Sequence, residues 1–219
     1  MALDIWWISG SPYSWWVLLA AEAKGLAYES HLLSKTKREN RTPEYLAMNP
    51  RGRVPVMKDG DFVLCESMAI VAYLDSRSGR TPLFGSNPRD SARVWEAVSQ
   101  VLSYLHRDIF ADPILSGRAR ADNPEPIRDG AARLKTELDF FEKRLASAPC
   151  LCGDTLSATD IALHAFLHFN LRAASREITR NLDLRILPLT DRFPRLAAWT
   201  GRIASLPGYD RTYPPHWRD

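Results

Sequence analysis

Residues 49–70 read "NPRGRVPVMKDGDFVLCESMAI", and this stretch decides how the first half of the chain folds. Within it, two apolar runs are joined by Asp59-Gly60, a pair that accepts the unusual dihedrals of a tight turn and so signals a β-hairpin. From Glu66 the period changes. Ile70, Val71, Tyr73 and Leu74 fall on one side of a helix over residues 66–76 and are expected to pack inward. The stretch is therefore a ββα unit.

Working outward, "TPEYLAMNP" (residues 42–50) is a short helix bounded by prolines. Before it, residues 3–8 read as a strand, residues 12–24 as a helix ended by Gly25, and residues 27–33 as a second strand. The order is βαβ, short helix, ββα. Downstream, "SRSGRTPLFGSNPRD" (residues 76–90) carries glycines and prolines at close intervals and reads as a linker. Beyond it the strand signals stop. Residues 91–115, 125–146, 159–174 and 191–205 carry helical periodicity, which predicts an all-helical second half. In "DTLSATDIALHAFL", Ser157 stands three residues before Asp160 at the head of an apolar helix, a variant of the capping box. The expected organisation is α/β followed by all-α: a domain over residues 1–79, a linker over 80–90 and a helical bundle domain over 91–219.

A chain of 219 residues is long enough for one large or two small domains with their own cores. The start "MALDIWW" has no basic segment ahead of its apolar residues, and no apolar run nears the roughly 20 residues that cross a bilayer. A soluble, cytoplasmic protein without membrane association is expected. Its three cysteines, Cys65, Cys150 and Cys152, suit neither a disulfide framework nor a zinc site. His164 and His168 stand one helical turn apart in an apolar helix with no third ligand nearby, so they read as core or edge histidines and no metal is expected. The net charge of +3 is small and scattered, which indicates no nucleic-acid partner. The exception is "KTKRENR" (residues 35–41), a basic run that reads as a solvated loop or as a meeting point for an acidic ligand.

"SGSPYSWW" (residues 9–16) poses the chemical question. Serine followed by proline is how a helix starts: the hydroxyl accepts a spare backbone N–H, and proline occupies a position that needs no donor. A hydroxyl at the positive end of a helix, at the carboxyl edge of a first strand, is equally suited to hold an anion such as a thiolate.

Taken in order, "SPY", "NPRGRVPV", "ESMAI", "SATDIA" and "FPRLAAWTGRIASLPGY" resemble motifs of the cytosolic glutathione transferase family across nearly the whole chain. The resemblance implies a thioredoxin-like first domain, a helical second domain, glutathione as co-substrate, no metal, and a homodimer formed between residues 66–76 of one subunit and residues 91–115 of the other. It implies a cis bond before Pro55 that presents the backbone of Val54 to glutathione, with Glu66 and Ser67 at the γ-glutamyl end. Arg53 and Arg41 are placed near the glycine carboxylate, with Lys35, Lys37 and Arg38 as alternatives to Arg41. Ser11 matches the sulfur-binding serine of tau-, theta- and zeta-like transferases, while Ser9 and Tyr13 are neighbouring hydroxyls. No cysteine stands before Pro12, and Cys65 lies elsewhere in the sequence, so thiol transfer through a mixed disulfide is not expected. Tyr13, Tyr104, Arg107 and Phe110 are the candidates for contact with a hydrophobic electrophile.

One hydroxyl suffices energetically. A thiol of pKa near 8.5 is about 3% ionised at pH 7, and lowering that pKa by about two units requires about 2.7 kcal/mol. A hydrogen bond to a charged acceptor contributes about 1.5 to 3 kcal/mol and a helix N-terminus about 0.3 to 1 kcal/mol. The resemblance thus points to a transferase in which thiolate attacks an electrophile. A non-catalytic binding protein on the same fold, and a glutathione-dependent β-etherase or isomerase, are the alternatives.

Overall fold

The computed structural model describes residues 3–105 and 109–218. In chain order its elements are β1 (Leu3–Trp7), α1 (Pro12–Ala23), β2 (Tyr28–Leu32), α2 (Pro43–Met48), β3 (Val56–Asp59), β4 (Phe62–Cys65) and α3 (Ser67–Arg77). There follow α4 (Pro88–Tyr104), α5 (Ala111–Leu115), α6 (Glu125–Arg144), α7 (Ala158–Ala174), α8 (Glu177–Arg180), α9 (Leu189–Arg192), α10 (Pro194–Ala204) and α11 (Tyr209–Thr212). Two 3-10 turns, Glu39–Arg41 and Pro215–Trp217, complete the set. This is a thioredoxin-like α/β fold followed by helices. Described residues up to Ser86 join those from Ser205 onward in one compact unit, and Asn87–Ala204 form the other.

In the first unit the four strands lie in the order β2-β1-β3-β4. β1 runs parallel to β2 and antiparallel to β3, and β3 is antiparallel to β4. The expected hairpin forms, with its turn shifted by one residue from Asp59-Gly60: Asp59 pairs with Phe62, so the turn itself is Gly60-Asp61, with Gly60 at φ +60°. Asp59 is thereby freed to accept hydrogen bonds from Tyr73 Oη at 2.7 Å and Arg77 Nε at 2.6 Å. That explains why Tyr73, expected in the core, is half-buried against the hairpin with its ring 5.3 Å from that of Phe62. The core proper is Leu3, Ile5 and Trp7 of β1 against Trp16, Val17 and Leu19 of α1 and Ile70, Val71 and Leu74 of α3, all buried. α1 packs directly on α3.

The second unit is built on α7, buried along most of its length and packed against α4. The expected capping box forms. Asp160 accepts from Ser157 N (2.9 Å), Ser157 Oγ (2.6 Å), Leu151 N (2.9 Å) and Trp199 Nε1 (2.9 Å). Burial pushes its pKa up, and these donors pull it back toward the charged form. Glu142 of α6 does the same work for α10, accepting from the backbone of Arg195 (2.9 Å) and Leu196 (2.8 Å) just after Pro194 opens that helix. Two helices differ from expectation. Residues 91–115 are not one helix: α4 ends at Tyr104, and Phe110, at φ −137°, starts α5 afresh. Residues 191–205 are likewise divided, because Pro194 cannot continue α9 and starts α10 instead.

Candidate active site

The register across the sheet gathers three segments that are far apart in sequence. Trp6 pairs with Val56, and Val56 pairs with Cys65. The end of β1, the start of β3 and the end of β4 therefore share one edge, and α1 and α3 both begin there. Two helix N-termini at the carboxyl edge of a sheet make a positively polarised rim suited to anionic groups.

On this rim Ser11 is the N-cap of α1, and its Oγ accepts the backbone N–H of Ser14 at 3.3 Å. A hydroxyl has one proton and two lone pairs, so the cap uses a lone pair and leaves the proton to donate. Ser11 is half-exposed, as are Ser9, Gly10 and Tyr13. Ser9 Oγ lies 2.6 Å from Nδ1 of His216.

Before β3 the Val54-Pro55 bond is cis, as the resemblance implied. Val54 lies outside the ladder, whose pairs begin at Val56. The carbonyl of Arg53 accepts from Tyr45 Oη (2.7 Å) and Asn49 Nδ2 (2.9 Å), which fixes the backbone at this point and leaves the Arg53 side chain exposed. Arg41 comes to the same loop: its Nη1 donates to the carbonyl of Arg51 at 3.1 Å, and its guanidinium fills the space a side chain on Gly52 would need. Lys35, Lys37 and Arg38 are exposed in the preceding turn.

At the third segment Glu66 is the N-cap of α3 at φ 69° and ψ 115°, a left-handed conformation uncommon for a residue with a side chain. Its exposed carboxylate makes no cap, so the backbone N–H groups of the first turn remain available. Such strain concentrates at functional sites. Ser67, the first residue of the helix, is 8% exposed.

Cys65, which in sequence stands apart from Ser11, is on this same edge. Its Sγ donates to the carbonyl of Met48 at 3.6 Å, and burial, then the charge of Glu66, push its pKa up. A thiol so held is a weak nucleophile. Of the electrophile candidates, Tyr104 is 55% exposed at the end of α4, and Arg107 lies outside the described residues. Phe110 is 2% exposed and, with Ile109, Pro113, Arg118 and Ile127, lines a pocket of about 170 Å³ within the second unit. His164 and His168 are joined through Thr200 Oγ1, at 2.7 Å and 3.0 Å. Among the described residues no cluster of three or more His, Cys, Asp or Glu could hold a metal, and no helix is long and apolar enough to cross a membrane.

Sequence reasoning missed the last residues of the chain. α11 and the turn Pro215–Trp217 belong to the first unit and reach the Ser9-Gly10 loop. The aromatic run Tyr209, Tyr213 and Trp217 was the available signal.

Comparison with known proteins agrees with this arrangement. Residues 10–77 match the family description "Glutathione S-transferase, N-terminal domain" and residues 120–202 "Glutathione S-transferase, C-terminal domain". The chain is 30% identical over 209 residues to glutathione S-transferase 4 of Zea mays, covering 92% of this chain and 87% of that one. It is 29% identical over 225 residues to glutathione S-transferase A of Pleuronectes platessa, covering 98% and 92%. Among solved structures, a glutathione S-transferase from the Antarctic clam Laternula elliptica superposes with a TM-score of 0.81 at 24% identity, covering 100% and 95%. A theta class enzyme from Xanthomonas axonopodis pv. citri, solved with glutathione bound, gives 0.77 at 28% identity, covering 96% of each chain. With both family domains matched in order on a rim of this geometry, the chain belongs to the glutathione S-transferase family and is an enzyme of it.

Proposed function

We propose that the rim binds glutathione and ionises its thiol for attack on a hydrophobic electrophile. The thiol proton leaves to solvent, and Ser11 donates a hydrogen bond from its hydroxyl to the resulting thiolate while a lone pair keeps α1 capped; the N-terminus of α1 adds its dipole. Ser67 and the first N–H groups of α3 receive the γ-glutamyl carboxylate, and the Glu66 carboxylate faces the amino group. The backbone of Val54 pairs with the cysteinyl unit as an added strand would. Arg53 and Arg41 meet the glycine carboxylate. With the thiolate stabilised and the electrophile held beside it, attack needs no general base. Tyr13, close to Ser11 in sequence on the rim, is assigned to the electrophile. The enzyme works in the cytoplasm as a homodimer through α3 and α4; large apolar groups left exposed at Phe62 (48%) and Trp95 (37%) favour such pairing.

The observation that carries this reading is the register Trp6, Val56, Cys65, which puts Ser11, Val54 and the Glu66-Ser67 pair on one edge. Its test is retention on immobilised glutathione with elution by free glutathione, followed by turnover assays across aryl halides, peroxides, unsaturated carbonyls and aryl ethers. Retention with turnover of at least one class is expected. A chain that passes through the resin unretained would overturn the reading.

A further inference from the structure

On the rim, a hydroxyl–imidazole pair that thiolate binding by Ser11 leaves unused joins residues 207 positions apart. Ser9 Oγ and His216 Nδ1 are 2.6 Å apart. The segment carrying His216 is fastened to α1 along its length. Trp15, 2% exposed, donates its indole N–H to Thr212 Oγ1 at 3.0 Å. The same ring meets those of Tyr209, Tyr213 and Trp217 at centroid separations of 5.9, 5.5 and 5.4 Å. Arg211 donates to Glu22 of α1 at 2.6 Å.

This anchoring delivers the imidazole onto Gly10. A Cβ on Gly10 would stand 2.7 Å from Cε1 and 3.1 Å from Nε2 of His216, and Gly10 itself has φ +80°. Glycine is needed there on both counts. The ring thus reaches from Ser9 across Gly10, and the next residue is Ser11. On either side of this glycine the turn is tied down: the Ser11 N–H to Ile8 carbonyl bond, 3.1 Å, fixes one side, and the Ser9–His216 bond fixes the other. In the described residues, the other charged groups of these elements pair among themselves, Arg211 with Glu22 and Arg218 with Asp210 at 3.6 Å; Tyr13 is the remaining titratable group of α1.

We propose that His216 is a positioning residue for thiol activation: through Ser9 and Gly10 it holds the turn that aims the Ser11 hydroxyl at the glutathione sulfur. The inference rests on the glutathione reading above. The bond forms with either neutral tautomer of the imidazole, because the Ser9 hydroxyl donates or accepts as needed. The tail of the chain is then part of the thiol site rather than a covering over α1.

The test is an ultraviolet thiolate titration of glutathione bound to the full-length protein, with calorimetry for affinity. His216→Ala is expected to raise the apparent pKa of the bound thiol by about half a unit to one unit, lowering the thiolate fraction about three- to tenfold below that pKa. Affinity should hold within about twofold, because the ends of the ligand are held elsewhere. His216→Asn, which keeps a polar atom where Nδ1 stands, is expected to restore most of the shift. Ser9→Ala should reproduce it, and the double variant should go no further than the larger single one. An unshifted pKa in either single variant, or shifts that add, would overturn the proposal while a normal wild-type thiolate left the glutathione reading standing. A wild type that binds no glutathione would overturn both. If His216→Ala did not fold, Ser9→Ala and the Asn variant decide.

Discussion

Within the first turn of α1, two serines three residues apart do opposite things. Ser11 Oγ accepts the Ser14 N–H, whereas Ser14 Oγ is itself buried with no partner among the described residues. A desolvated hydroxyl without a hydrogen bond costs free energy, and alanine is the better helix former. Ser14→Ala is therefore expected to stabilise the protein by about 0.5 to 1 kcal/mol, read as a higher midpoint in thermal melts; a lower midpoint contradicts the account. Ser67 is the reverse case under the proposed function, a hydroxyl kept for a ligand. Ser67→Ala should weaken glutathione binding by about 1 to 3 kcal/mol in titration calorimetry, the cost of an unmade bond to a charged group, and unchanged affinity would remove Ser67 from the site.

Elements in this chain are held in place by what happens at their ends. Asp160 is buried at the head of α7 with donors from three separate segments, so Asp160→Ala would strand Ser157, Leu151 and Trp199 together. A loss of about 3 kcal/mol or more is expected in denaturant unfolding, and a loss below about 1 kcal/mol would show that burial has cancelled the network. These ends were also the legible part of the fold. Ser11-Pro12, Ser157 with Asp160, and Gly60 in its hairpin announce themselves locally, because each satisfies its neighbours' backbone. What the sequence hid was non-local. The division between α4 and α5 has no proline or glycine in residues 105–110 to announce it. The local geometry of the rim was legible where a motif sits on one segment, as in the cis Val54-Pro55 bond and the start of α3 at Glu66-Ser67. The convergence of Ser9 with His216 was not, since the two are 207 positions apart and their pairing depends on how the tail packs on Trp15.

Across the whole molecule, the pair of fully buried His164 and half-buried His168 sets an acid limit. Burial lowers the pKa of His168 from 6.5 to about 4, and burial followed by the neighbouring His168 holds His164 well below its ordinary range. Both pKa values are lower in the folded state, so between about pH 6.5 and pH 4 the unfolded chain binds more protons and stability falls as pH falls. The Thr200 hydroxyl bridges two neutral rings, and protonation would place like charges side by side. His168→Gln should flatten the decline of unfolding free energy over this window by about 1 to 3 kcal/mol; an unchanged slope would contradict the burial argument. For assembly, sedimentation at micromolar concentration is expected to give twice the chain mass, and a monomer mass would refute pairing through α3 and α4. The most direct test of the account is the pH profile of turnover with one accepted electrophile, for wild type, Ser11→Ala and Tyr13→Phe. If Ser11 both caps α1 and stabilises the thiolate, Ser11→Ala lowers turnover at pH 7 by about tenfold or more, recovers much of it by about pH 9, and costs about 0.5 to 2 kcal/mol of stability, while Tyr13→Phe leaves the profile in place. A profile moved by Tyr13→Phe and left unmoved by Ser11→Ala would contradict it and reduce Ser11 to a cap.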